Sequence, residues 1–189
     1  MSGIVGSKFN IRGSGLVGSL GTDGQHMLSA GAGVSNVFET VAAGGSTPAF
    51  SAELGTDQDI GDNSLVKAAF TTEVFDSGSV YDNSSNYRFT PGVEAKYFIY
   101  LTAMFQCALA VLGASEIHLY KNGSSIMGVS TYNDSDEKFR THSMCAIVLL
   151  DADDYIEAYV KGDTTYPPGS GGQNIFINAD SQFGGFKIA

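Results

Sequence analysis

From Val93 onward, alternate positions of the chain are apolar: Val93, Ala95, Tyr97, Ile99, Leu101, Ala103, Phe105 and Cys107. A period of two is that of a β-strand with one face in a core, so the stretch predicts a long central strand. The other face reads Glu94, Lys96, Phe98, Tyr100, Thr102, Met104 and Gln106. It begins charged and turns aromatic and sulfur-rich midway. Such a face is too apolar for open water and requires a cover, either a second sheet or the same face of another copy. The Pro91-Gly92 pair in front of it predicts a turn, because proline fixes φ and glycine is free to take positive φ.

The same alternation recurs along the chain. Residues 65–75 place Val66, Ala68, Phe70, Thr72 and Val74 on one side and predict a half-buried strand. Ile117 and Leu119 alternate with His118 and Tyr120 into Lys121-Asn122-Gly123, and Asn-Gly is the preferred pair of a type I′ hairpin. Residues 126–131 return from that hairpin, residues 139–150 form another long strand, and residues 174–178 are a short β-prone run. The segments between are polar or rich in Gly and Pro and predict loops. One of them, Asp57-Gln58-Asp59-Ile60-Gly61-Asp62, is an acidic turn; a calcium-binding EF-hand loop would need glycine where Asp62 stands and glutamate where Ala68 stands. The expected fold class is all-β.

Composition changes the picture at the N-terminus. Residues 1–48 are dominated by Gly, Ser and Ala, with Phe9 and Phe38 as their only aromatic residues, so they cannot form a core alone. They read as an extended Gly-rich segment, closed by Ala42-Ala43-Gly44-Gly45-Ser46-Thr47-Pro48, with one domain over residues 49–189. Gly15, Gly18, Gly21 and Gly24 have collagen spacing, but the run is short and lacks proline. With 10 basic against 20 acidic residues the net charge is −10, which disfavours nucleic acid as a partner. No run of about 18 apolar residues is present to insert in a membrane. The start Met1-Ser2-Gly3-Ile4-Val5 reads as no signal peptide. The expectation is therefore folding in a cytoplasm, with Cys107 and Cys145 as core thiols rather than a disulfide.

Chemistry is sparse. There is no Gly-x-Ser-x-Gly elbow and no phosphate loop followed by lysine, and His26, His118 and His142 lack metal-ligand spacing. No catalytic residue, metal or cofactor is expected. The acids Asp134, Asp136, Glu137, Asp151, Asp153 and Asp154 are of the type that cleaves glycans in pairs, but clustered acids in turns are usually solvated. What remains is binding by loops on a rigid scaffold. The candidates, rich in tyrosine and amide groups suited to saccharides, are Tyr81, Asn83, Asn86, Tyr132, Asn133, Asp134 and Tyr166.

Several motifs in order resemble the C1q-like (C1q/TNF-type) family: Ala49-Phe50-Ser51-Ala52, Tyr81-Asp82, Phe89-Thr90-Pro91, Tyr97-Phe98, Leu119-Tyr120-Lys121-Asn122-Gly123 and the closing Ser181-Gln182-Phe183-Gly184-Gly185-Phe186. Asp153 stands where the family has a glycine, which puts that one turn in doubt. The resemblance implies a ten-stranded antiparallel jelly-roll sandwich that associates as a homotrimer around an aromatic axis, with Phe98, Tyr100 and Met104 at the trimer interface. Separately, residues 21–33, Gly-Thr-Asp-Gly-Gln-His-Met-Leu-Ser-Ala-Gly-Ala-Gly, followed by Val37-Phe38, resemble a segment of tail-fibre and other virion-surface proteins of tailed bacteriophages. That resemblance implies an anchor to other virion proteins. Together they imply a non-enzymatic trimeric virion structural protein, a short fibre tip, head fibre or capsid decoration, adhering to host surface glycans. The alternatives are a secreted C1q/TNF-like recognition or signalling protein and, last, a glycan-degrading enzyme.

Overall fold

The computed structural model describes residues 25–28, 37–40, 47–107, 112–132, 137–164 and 175–188. The chain divides between Ser46 and Thr47, and each part is taken by itself. In the first, within the segment expected to be extended, β1 (Gln25–Leu28) pairs antiparallel with β2 (Val37–Thr40), Met27 opposite Phe38. The rest of the glycine-rich run that resembles phage virion proteins lies outside the described residues.

The second part is a sandwich of two antiparallel sheets, and no helix occurs among the described residues. Its strands are β3 (Ala49–Glu53), β4 (Gln58–Asp59), β5 (Val66–Lys67), β6 (Thr72–Ser77), β7 (Tyr81–Asp82), β8 (Arg88–Phe89), β9 (Ala95–Cys107), β10 (Leu112–Lys121), β11 (Ser124–Tyr132), β12 (Phe139–Leu150), β13 (Ile156–Thr164), β14 (Ile175–Ile177) and β15 (Gln182–Lys187). The first sheet runs β12-β9-β15-β3-β6; β14, followed by β4, continues beside the far end of β9. The second runs β11-β10-β13-β8-β7, with β5 also against β13. Thirteen segments stand where ten strands were expected; between β3 and β9 the chain makes five, four of them of two residues only.

Strand β9 follows its sequence pattern: every odd residue from Ala95 to Cys107 is buried and the even ones are not. Across the sandwich, Ile117 and Leu119 of β10 and Ile156, Ala158 and Val160 of β13 complete the core. Each fully buried large side chain stabilises by roughly 1.5–3 kcal/mol relative to exposure. At one end, rings from both sheets close together. Phe50 stacks on Tyr81 (centroids 4.7 Å) and on Phe89 (4.8 Å), with Phe183 edge-on at 5.0 Å.

The expected single strand over residues 65–75 is instead two strands in different sheets. Val66 of β5 pairs with Val160 in the second sheet, whereas β6 pairs with β3 in the first. Ala68 and Phe70 are buried in the crossing between them, but Thr72 and Val74 are exposed. The apolar period thus reflects a buried crossover followed by an edge strand. At the predicted hairpin, Asn122 and Gly123 both have positive φ (51° and 77°), as a type I′ turn requires. The Asn122 side chain also donates to Asp154 Oδ1 (2.6 Å) and accepts from the Tyr155 amide (2.9 Å), tying the hairpin to the turn before β13.

Candidate functional site

The outer face of the first sheet is built from cross-strand rows. Ile147, Phe98 and Phe186 lie in register across β12, β9 and β15. Next to them run Cys145, Tyr100, Gly184, Ser51 and Phe75, and then Ser143, Thr102, Gln182 and Glu53. The face therefore grades from apolar to polar along the strands. Its apolar part is open to solvent in the single chain: Ile147 is 68% exposed, Leu149 57% and Phe186 47%. Phe98 leans on Phe186, with centroids at 5.3 Å. Phe98, Tyr100 and Met104, expected together at an interface, do share this face and are each half-buried. Cys145, expected in the core, is exposed here, because β12 turns Arg140, His142 and Met144 inward and the odd positions out. Cys107 is buried and both thiols are free.

The loop candidates divide. Tyr81 is not a loop residue: it lies in β7, is buried, stacks on Phe50 and donates its hydroxyl to the Phe70 carbonyl (3.1 Å). Its phenol pKa is pushed well above the ordinary value, first by that burial. Its place in a Tyr-Asp pair before a polar run hid this, since the ring points to the core and only Asp82 faces the turn. Asn83 and Asn86 sit in the following turn, which folds around Asp82. The Asp82 carboxylate accepts the amides of Ser84, Ser85 and Asn86, and these bonds hold its pKa well below the usual carboxylate range. Tyr132 ends β11 and is 74% exposed. It lies on the opposite edge of the second sheet from the β7–β8 turn, so the structure does not bring it together with Asn83 and Asn86. Asn133, Asp134 and Tyr166 lie outside the described residues.

Of the carboxylates weighed as a hydrolytic pair, Glu137 and Asp154 are engaged otherwise, and Asp151 and Asp153 are exposed. Glu137 pairs with Arg140. Asp154 accepts from Lys121 Nζ (2.7 Å), the Asp151 amide and Asn122, and these bonds lower its pKa to about 2. Such a group is ionised at neutral pH and unsuited to act as a general acid. In the acidic turn, Asp57 accepts the Ala179 amide and Asp62 the Thr164 amide. Among the described residues no group of His, Cys, Asp and Glu is placed to hold a metal ion.

A second surface escaped the sequence reading. On the outer side of the second sheet, Glu116, His118 and Tyr120 of β10 stand beside Lys161, Tyr159 and Glu157 of β13, with Lys67 of β5 and Arg88 of β8 beyond. Tyr120 and Tyr159 pack at 4.4 Å, Lys67 reaches Glu157 at 2.5 Å, and the Arg88 guanidinium lies 4.5 Å from the centre of the Tyr155 ring. The signal available in the sequence was the outward period itself, which was read only for its apolar half.

No family model and no curated protein matches this chain. Solved structures do. The globular domain of zebrafish complement 1qA protein aligns over 75% of this chain and 98% of its own, at 16% identity and a TM-score of 0.54. Murine APRIL at pH 5.0 aligns over 75% and 99%, at 9% identity and 0.55. Eiger TNF from S. frugiperda aligns over 76% and 92%, at 12% identity and 0.50. The fold is the C1q/TNF-type jelly roll. At these identities the likeness is one of fold.

Proposed function

We propose that the protein is a non-enzymatic homotrimer displayed on the surface of a tailed-phage particle, as a short fibre tip, head fibre or capsid decoration, where it adheres to host surface glycans. The observation that carries the assembly is the exposed apolar face of the β12-β9-β15-β3-β6 sheet. A three-fold ring is closed by one heterologous contact repeated three times, so it needs two different patches on each chain. Ile147 and Leu149 on β12, and Phe186, Ile188 and Phe75 toward the other edge, are two such patches. Between them the face is levelled by Tyr100 lying over Gly184. Burying large apolar side chains that are half exposed in the single chain is the main gain available from association.

The virion part of the reading is supported by the glycine-rich segment that resembles phage surface proteins, with residues 1–48 as the anchor to other virion proteins. The C1q/TNF-type fold also fits a secreted recognition protein, and the particle experiment separates the two. Mass in solution is measured for the full chain and for one starting at Thr47, which keeps the Pro48 carbonyl that accepts the Lys187 amide. Both are then tested for binding to host cells and to particles lacking the protein. The expected result is two trimers, only the full chain returning to particles. A monomeric full chain overturns the assembly, and failure of the full chain to bind particles overturns the virion role.

A further inference from the structure

The outer face of the second sheet is neither apolar like the assembly face nor an ordinary charged surface. At its outward positions β10, β13, β5 and β8 carry Glu116, His118, Tyr120, Glu157, Tyr159, Lys161, Asp163, Lys67 and Arg88, with the small Ala114 as the one aliphatic residue among them. The rings form a continuous strip. Tyr120 and Tyr159 are in contact, and His118 is edge-on to Tyr120 at 6.4 Å. The strip is held low on the sheet, because Gly128 of β11 lies directly under His118 and any Cβ there would strike the imidazole.

The polar groups around the strip are mostly spent. Lys67 pairs with Glu157, and Glu116 with His118 and Lys161. Arg88 differs. It stacks on Tyr155 but makes no ion pair among the described residues. Its register neighbours Glu157 and Asp82 are committed to Lys67 and to the β7–β8 turn. The hydroxyls of Tyr120, Tyr155 and Tyr159 likewise make no hydrogen bond among the described residues. Counting Asp82, the face carries three basic groups (Lys67, Arg88, Lys161) against four acidic ones (Glu116, Glu157, Asp163, Asp82), close to balance on a chain whose net charge is −10. An anion is repelled less here than by the chain's charge as a whole.

From this geometry we infer that the face binds a carboxylate-bearing saccharide. A sugar ring lays its C–H face on Tyr120 and Tyr159, the free phenol hydroxyls bond its hydroxyl groups, and the Arg88 fork takes the carboxylate in bidentate fashion. Arg88 and Tyr120 lie on one cross-strand row two strand spacings apart, about 10 Å, with Glu157 between them. A protein partner is the poorer match, because along β10, β13, β5 and β8 the face offers little apolar area beyond the rings. The site lies on the sheet opposite the assembly face, so three copies on one trimer would bind a polymeric glycan with avidity.

The inference rests on the glycan-recognition half of the proposed function and not on its virion half. The test is calorimetric or NMR titration of the full chain with sialyllactose and with a galacturonic acid trisaccharide, against lactose and the methyl-esterified trisaccharide as uncharged controls. The expected result is saturable binding of an acidic probe, at least tenfold tighter than its uncharged control. Arg88→Gln removes that preference, and Tyr159→Ala weakens acidic and neutral probes alike. Tyr120→Leu repeats the second result should Tyr159→Ala lower the unfolding temperature. Absence of binding by both acidic probes, equal affinity for the uncharged controls, or binding that Arg88→Gln and the tyrosine variants leave unchanged overturns the inference. Host-cell binding that persists in Arg88→Gln would leave glycan recognition standing on another surface.

Discussion

Tyr100 lies flat across Gly184 in the neighbouring strand, where any Cβ would run into its ring, and its hydroxyl shares a 2.9 Å hydrogen bond with Ser51 one strand further on. The adjacent Gly185 faces the other way, and a Cβ there would meet Ile99 and the Phe98 carbonyl in the interior. The two glycines therefore answer to different structures. Gly185→Ala is expected to destabilise the single chain by about 1–3 kcal/mol, as overpacking does. Gly184→Ala is expected to lift Tyr100 off the sheet and weaken association at least tenfold with a smaller effect on the fold. Denaturant unfolding and sedimentation of both variants check this; an equal loss of fold stability in both removes the special role of Tyr100.

Ile147, 68% exposed, is the most open apolar side chain on the outer face of the first sheet, where association is proposed. Ile147→Asp is expected to leave the unfolding free energy of the dissociated chain within about 0.5 kcal/mol, the usual range for surface changes. It places three carboxylates in the proposed contact, however, and light scattering should report a monomer. A trimer that survives Ile147→Asp and Leu149→Asp together places the contact on another surface.

The parts of the fold that could be read from the sequence are those where a local rule and the tertiary structure agree. Strand β9 is buried on one side along its whole length, so its period of two is unbroken, and the Asn122-Gly123 turn is written in the backbone needs of two residues. Residues 65–75 misled because a chain crossing between sheets through the core is as apolar as a strand within one. Tyr81 misled because one residue separates a core ring from a solvent-facing carboxylate, and composition alone assigns both to the loop. The ring strip of the second sheet was legible only in part, as the outward His118 and Tyr120 of β10. Tyr120, Tyr159 and Arg88 are far apart in sequence and are brought together only by the register of β10, β13 and β8.

The correction at Tyr81 has its own consequence. Tyr81→Phe keeps the stack on Phe50 and removes the bond to the Phe70 carbonyl, so it is expected to cost about 1 kcal/mol. Tyr81→Ala also leaves a cavity and is expected to cost about 3–5 kcal/mol, in line with large aromatic truncations. Glycan or cell binding by the folded Tyr81→Phe chain should equal that of the parent. A specific loss of binding at unchanged stability would return Tyr81 to the recognition surface.

At the other end of the sandwich, His142 is buried from β12, bonded through Nε2 to Ser115 Oγ (2.7 Å) and edge-on to Phe105. The charged groups facing it are Arg140 and Glu137, and Arg140 is itself buried and bonded to Ser115 and the Thr131 carbonyl. Burial first, and then the Arg140 charge, lower the His142 pKa below its ordinary 6.5. The folded chain thus binds this proton less readily than the unfolded one. Its contribution to stability is complete above pH 6.5 and is lost as pH falls from there toward the lowered folded value. Carboxylates ordinarily titrate mostly below this window. Unfolding free energy should therefore rise with pH there, with a limiting slope of about 1.4 kcal/mol per pH unit for one proton. His142→Gln, which keeps a hydrogen-bonding side chain, should flatten the difference between the two curves' pH dependence to zero contribution from this site. The remaining slope belongs to other groups, and parallel curves for parent and variant would mean that His142 is protonated as easily in the fold as out of it.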